Sequence, residues 1–198
     1  MRLFVAIDPG SPARDRIESA LVELRREVPD VRWGRSDAIH LTLKFLGEVA
    51  ESRRAAIADA VDRAAARAGD PFAVELKGVG AFGDRRRPRV VWLGLTDPAG
   101  RLAAAAAAVE SVFEEEGFAR EKHSFNPHLT LARPKALSKS LPAAVAARSE
   151  LNLGSIEVRS VILFQSVLHS SGADYTRLHE AGLGSGGEAA RARNAGRR

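Results

Sequence analysis

The chain has 198 residues, enough for one domain or for two small lobes sharing a core, and too few for two independent domains of usual size. Hydrophobic residues at 45% with 28% charged exclude wholesale disorder, and the lack of cysteine excludes disulfides, a thiol nucleophile and a thiolate metal site while fitting a reducing cytoplasm. The formal charge of +5 favours an anionic partner, although Arg191, Arg193, Arg197 and Arg198 near the C-terminus supply much of that excess.

Arg2 to Ile7 reads as a strand, rich in Phe, Val and Ile, and Asp8-Pro9-Gly10 punctuates it before a helix running to about Val28. Ile17, Leu21, Leu24 and Val28 give that helix an apolar stripe at three- and four-residue spacing. Ile39 to Leu46 alternates. Ile39, Leu41, Leu43 and Phe45 fall on one face, and His40, Thr42, Lys44 and Leu46 on the other.

Glu51 to Ala68 is an Ala- and Arg-rich helix closed by Gly69. Strands Phe72 to Val79 and Val90 to Leu95 follow, separated by a connection over Gly80 to Arg89. Ala99 to Glu116 is the next helix, its run of alanines reflecting high helix propensity. A strand around His128 to Ala132, a short helix near Pro142 to Arg148, and a hairpin of Ile156 to Leu168 with Asp174 to Leu183 complete the body. Residues 184 to 198 carry almost no large apolar side chain and read as a disordered basic tail.

This order, with strands joined by short turns, predicts an α+β fold of mainly antiparallel sheets. The run Leu3 to Ile7 is too short for a signal segment and no stretch is long enough to span a membrane, so a soluble cytoplasmic protein without a membrane partner is expected.

The strongest internal signal is a repeated tetrapeptide. His40-Leu41-Thr42-Leu43 recurs as His128-Leu129-Thr130-Leu131, 88 residues later. Residues i and i+2 of a strand share a face, so each histidine stands beside a threonine while the leucines face the core. Two imidazoles and two hydroxyls converging on one small volume suit the opening of a cyclic phosphodiester. One histidine takes a proton from attacking water, the other gives one to the departing oxygen, and the threonines donate hydrogen bonds to the phosphate. No metal or other cofactor is needed.

Each residue also has a duller reading. A lone strand histidine is more often a surface or satisfied residue, and His123, His169 and His179 lack the motif setting. Thr42 and Thr130 suit any strand. Lys44 shares the face of His40 but is expected to be solvated. Arg133 follows the second motif, yet ideal alternation puts it on the leucine face, so reaching a phosphate requires a twist or a strand end.

The chain resembles the two-histidine phosphoesterase superfamily, in particular its bacterial RNA 2′,3′-cyclic phosphodiesterase (2′-5′ RNA ligase-like) branch. The resemblance rests on the opening Arg2 to Ile7, the stretch His40 to Gly47, Pro88-Arg89-Val90-Val91-Trp92, Pro127 to Arg133, and Gly172 with Tyr175. It implies a bilobal fold over residues 1 to 183, with two pseudo-symmetric lobes around a central cleft. The implied reaction is hydrolysis of RNA 2′,3′-cyclic phosphate ends to 2′-phosphomonoesters. By the same resemblance His40 is the proton donor to O3′, His128 activates water, and Thr42 and Thr130 hold phosphate. Implied substrates include tRNA fragments and cyclic nucleotides, for a monomer; some family members also join tRNA halves through a 2′,5′ linkage.

Two rivals remain at this point. A pure binding module would rather use Arg, Lys or backbone amides for phosphate. A metal protein would need carboxylates or a helical His-x-x-x-His spacing that neither motif supplies.

Overall fold

The computed structural model of the chain describes residues 1–84, 86–169 and 172–184. The body is α+β, with β1 (Arg2–Ile7), α1 (Ser11–Glu27), β2 (Leu41–Glu48), α2 (Arg54–Ala68), β3 (Phe72–Gly83), β4 (Pro88–Thr96), α3 (Arg101–Glu115), β5 (His128–Ala132), α4 (Leu141–Ala146), β6 (Asn152–Val158), β7 (Ser160–His169) and β8 (Gly172–Gly182). The strands make two four-stranded sheets, ordered β2-β1-β7-β8 and β5-β4-β3-β6, and the pairings within them are antiparallel. Among the described residues no helix is long and apolar enough to cross a membrane. The expected tail falls almost wholly outside the described residues.

The apolar stripe of α1 is buried as its spacing requires, with Ile17, Leu21 and Leu24 in the core. Alternate residues Leu3, Val5 and Ile7 of β1 join that core. Their neighbours Phe4 and Ala6 lie on the opposite face, in a separate apolar cluster with Ile162 and Phe164 of β7. The first sheet therefore carries buried apolar side chains on both faces. Helix α2 packs against β7 and β8, and α3 against β2; α1 contacts β6, and α4 contacts β3.

Three expectations need correction. Of the hairpin predicted for Ile156 to Leu168 with Asp174 to Leu183, the pairing holds between β7 and β8, but the first arm is two strands: the chain leaves the second sheet after Val158, turns at Arg159 and enters the first at Ser160. An unbroken β-rich run cannot reveal which partner each half will find. The presumed connection Gly80 to Arg89 is mostly strand, because β3 and β4 extend to Gly83 and Pro88 and pair there.

The third correction concerns β2. Its register against β1 passes from Val5↔Lys44 to Ala6↔Thr42, so Leu43 is an extra, bulged residue. A bulge reverses the alternation beyond it. Leu43 and Lys44 both turn inward, and Phe45, expected on the buried face, is 54% exposed. Lys44 is neither solvated nor beside His40. It is 2% exposed, and its Nζ donates to Glu110 Oε1 (2.7 Å) and to the carbonyl of Ala119 (2.8 Å).

Candidate active site

The two motif strands, β2 and β5, are edge strands of different sheets and contact one another. Gly34 N–H donates to the Leu131 carbonyl at 2.7 Å, fastening the segment before the first motif to the second. The leucines face inward, Leu41, Leu43, Leu129 and Leu131 all being buried, while His40, Thr42, His128 and Thr130 are only partly buried. That division follows from the period of two in an extended chain.

Each histidine is held in the same way. His40 Nδ1 lies 2.9 Å from the Ala38 carbonyl, and His128 Nδ1 lies 2.8 Å from the Asn126 carbonyl, two residues back in both cases. A carbonyl can only accept, so Nδ1 carries the hydrogen and Nε2 is left as the exchanging nitrogen. Each ring also meets an aromatic neighbour. Phe4 lies 4.6 Å from His40 and Tyr175 meets it edge-on at 4.9 Å, while Phe82 meets His128 edge-on at 5.0 Å.

The symmetry extends to the bulge. Across β4 and β5 the register passes from Trp92↔Thr130 to Val91↔Ala132, leaving Leu131 as the extra residue, the counterpart of Leu43. Leu131 and Ala132 both turn inward, and Arg133 emerges on the side of His128 and Thr130 rather than on the leucine side. The strand position that holds Phe45 in one half holds Arg133 in the other.

Burial pushes His40 down to about 4, opposed by the hydrogen bond to Ala38 and assisted by the positive charges of Arg14 and Arg133. Arg133, from the second motif, thus lies near enough to act on the histidine of the first. Among the described residues neither threonine hydroxyl is engaged in a hydrogen bond, which leaves both available to a ligand.

Trp92 is the cross-strand neighbour of Thr130 and shares its face. Its indole fits only because Gly80 and Gly94 flank it: a Cβ on Gly80 would lie 2.3 Å from the ring. Asp8 follows Ile7, the residue of β1 paired to Leu41, and binds Arg14 (2.9 Å) and Arg177. Sequence reading took Asp8 for turn punctuation; counting the alternation of β1 one residue further puts it on the face of Phe4 and Ala6. His179 pairs with Asp62 of α2 at 2.8 Å and His169 with Asp174 at 3.3 Å, while His123 is exposed. No group of three or more His, Asp or Glu among the described residues is placed to hold a metal ion.

Residues 12–166 match the family described as the 2′-5′ RNA ligase superfamily. A protein of Aeropyrum pernix named RNA 2′,3′-cyclic phosphodiesterase is 42% identical over 151 residues, covering 75% of this chain and 84% of its own length. One of the same name from Archaeoglobus fulgidus is 36% identical over 90% of this chain and 98% of its own. The crystal structure of E. coli LigT complexed with 3′-AMP superposes with a TM-score of 0.71 at 29% identity, covering 92% of this chain and 97% of that one. With two antiparallel sheets that bring together two His-Leu-Thr-Leu strands, each bulged at its second leucine, the chain belongs to the 2′-5′ RNA ligase superfamily.

Proposed function

We propose that the chain is a phosphodiesterase that opens RNA 2′,3′-cyclic phosphate ends to 2′-phosphomonoesters by acid–base catalysis at His40 and His128, without a metal. The observation that carries this reading is the matched pair of Nδ1–carbonyl hydrogen bonds, which points each Nε2 to proton exchange beside a threonine hydroxyl. The shared name of the curated relatives supports the substrate class.

Water attacks phosphorus as His128 Nε2 takes its proton. The P–O3′ bond breaks, and His40 Nε2–H protonates O3′, leaving the phosphate on O2′. Thr42, Thr130 and Arg133 hold the non-bridging oxygens, where charge gathers in the transition state. His40 is neutral in the empty site at neutral pH, because burial and two arginines disfavour its cation. The anionic phosphate restores that proton by offering the imidazolium a counter-charge. With a ribose 5′-hydroxyl in place of water, the same step joins two RNA ends through a 2′,5′ linkage.

The catalytic unit is the bilobal body of residues 1–183, acting as a cytoplasmic monomer on RNA ends, tRNA fragments and cyclic nucleotides. The test is incubation with an oligoribonucleotide ending in 2′,3′-cyclic phosphate, with and without EDTA, followed by identification of the terminal isomer. A 2′-phosphate formed equally fast in EDTA is expected. A 3′-phosphate, or loss of turnover in EDTA, overturns the mechanism.

A further inference from the structure

The arginines around His40 are not needed in full by a cyclic phosphate. Arg133 comes from the second motif and serves that group in the reading above. Arg14 and Arg177 come from elsewhere, the first turn of α1 and the middle of β8, and both end on one oxygen, Oδ2 of Asp8. Asp8 is 7% exposed, and its other oxygen accepts the N–H of Gly10 at 2.8 Å, so the carboxylate is fixed at both ends.

Each guanidinium has five N–H donors, and the carboxylate occupies one of each. Arg177 makes one longer contact besides, to Glu180 at 3.4 Å, and remains 49% exposed. Arg14 is 26% exposed, and its Nε is buried without a hydrogen-bond partner. The donors of Arg14 that can face a ligand are its Nη groups, and among the described residues their one hydrogen bond is that to Asp8. Arg177 is the cross-strand neighbour of Phe164, whose ring stacks on Phe4 at 5.2 Å beneath His40, so it stands on the face of the first sheet that carries the histidine. Arg14 is close enough to weigh on His40. Asp8 and the more distant Glu180 balance the two cations, but each planar fork keeps N–H donors beyond those the carboxylates take, in a geometry suited to phosphate.

We propose that Arg14 and Arg177, held together by Asp8, form a second phosphate subsite that takes the phosphate on the 5′ side of the nucleotide whose cyclic phosphate lies between the histidines. This inference rests on the histidine reading. Such a subsite would favour an RNA end over a free cyclic nucleoside phosphate, since only the former carries a phosphate at that position.

The test compares a nucleoside 2′,3′-cyclic phosphate with the same molecule bearing a 5′-phosphate. For the unaltered protein the 5′-phosphate should raise kcat/KM about ten-fold or more, chiefly through KM, as a charge-assisted contact warrants. Arg14→Gln and Arg177→Gln should each bring that ratio towards one, with Arg177→Lys retaining part of it. Equal kcat/KM for the two substrates overturns the subsite whatever the variants do, and so does a preference that survives in both glutamine variants. If the unaltered protein turns over neither substrate, the histidine reading falls and the subsite with it; turnover of both without preference removes the subsite alone.

Discussion

Lys44 and Glu110 form an ion pair in the interior, Nζ to Oε1 2.7 Å, that joins the first motif strand to helix α3. The same Glu110 oxygen accepts the backbone N–H of Glu121 at 3.1 Å, and Lys44 also holds the Ala119 carbonyl. The pair therefore anchors the segment that leads from α3 towards His128.

Removing one partner leaves the other charge buried and unpaired, which typically costs about 3–5 kcal/mol; the partial exposure of Glu110 argues for the lower end. Lys44→Met and Glu110→Gln should each lower stability by about 3 kcal/mol in urea unfolding. The double variant Lys44→Met/Glu110→Leu should recover much of that loss. Single variants within about 0.5 kcal/mol of the parent would show that the pair contributes little.

His40→Ala and His128→Ala should each reduce hydrolysis of a cyclic nucleotide by roughly 10²- to 10⁴-fold with the fold preserved. If the two act in one step, the double variant is about as impaired as the worse single one. Circular dichroism establishes folding and turnover decides the role. Near-normal turnover by either single variant removes the two-histidine mechanism.

Thr42→Val and Thr130→Val keep the strand-forming shape and delete only the hydroxyl. Losses of about ten-fold, smaller than those of the histidine variants, are expected if each hydroxyl donates one hydrogen bond to phosphate. Unchanged rates in both would make these threonines purely structural.

The pH response follows from the low value of His40. Folded, it lies at about 4, against 6.5 for an ordinary imidazole, so between these values the unfolded chain binds more protons than the folded one. Its contribution to stability is present above about 6.5 and is lost as the pH falls towards 4. The difference in urea midpoint between the parent and His40→Asn, followed from pH 7 to pH 4, isolates it.

For catalysis, the falling limb assigned to a donor His40 should lie at higher pH in kcat than in kcat/KM, because bound phosphate raises its value and kcat/KM reports the free enzyme. NMR titration of the ring with and without phosphate reads the shift directly. A His40 limb that rises with pH, rather than falls, exchanges the roles of His40 and His128.

Gly80→Ala tests the floor beneath Thr130. The added Cβ falls 2.3 Å from the Trp92 ring, so the indole must move, and with it the neighbour of Thr130. Overpacking of this kind costs about 1–3 kcal/mol and should lower turnover as well. The variant Gly117→Ala also carries a glycine change, at a positive φ of 85° but with open space around its Cβ, and should cost stability while sparing the site.

Local pattern determined a good deal here. Residue type and period alone located β1, the stripe of α1, β5, and the pairing of histidine with threonine on one face of each motif strand. These depend on neighbours two to four positions apart, which any sequence displays. What the tertiary structure decided depends on partners far along the chain. The bulges at Leu43 and Leu131 exist only relative to β1 and β4, and they alone turned Lys44 inward and brought Arg133 to the side of His128. Lys44 met Glu110 across 66 residues, Arg177 met Asp8 across 169, and the run from Ile156 to Leu168 divided between two sheets. Alternation is a property of one strand, whereas register and charge pairing belong to two, so no reading of a single segment could supply them.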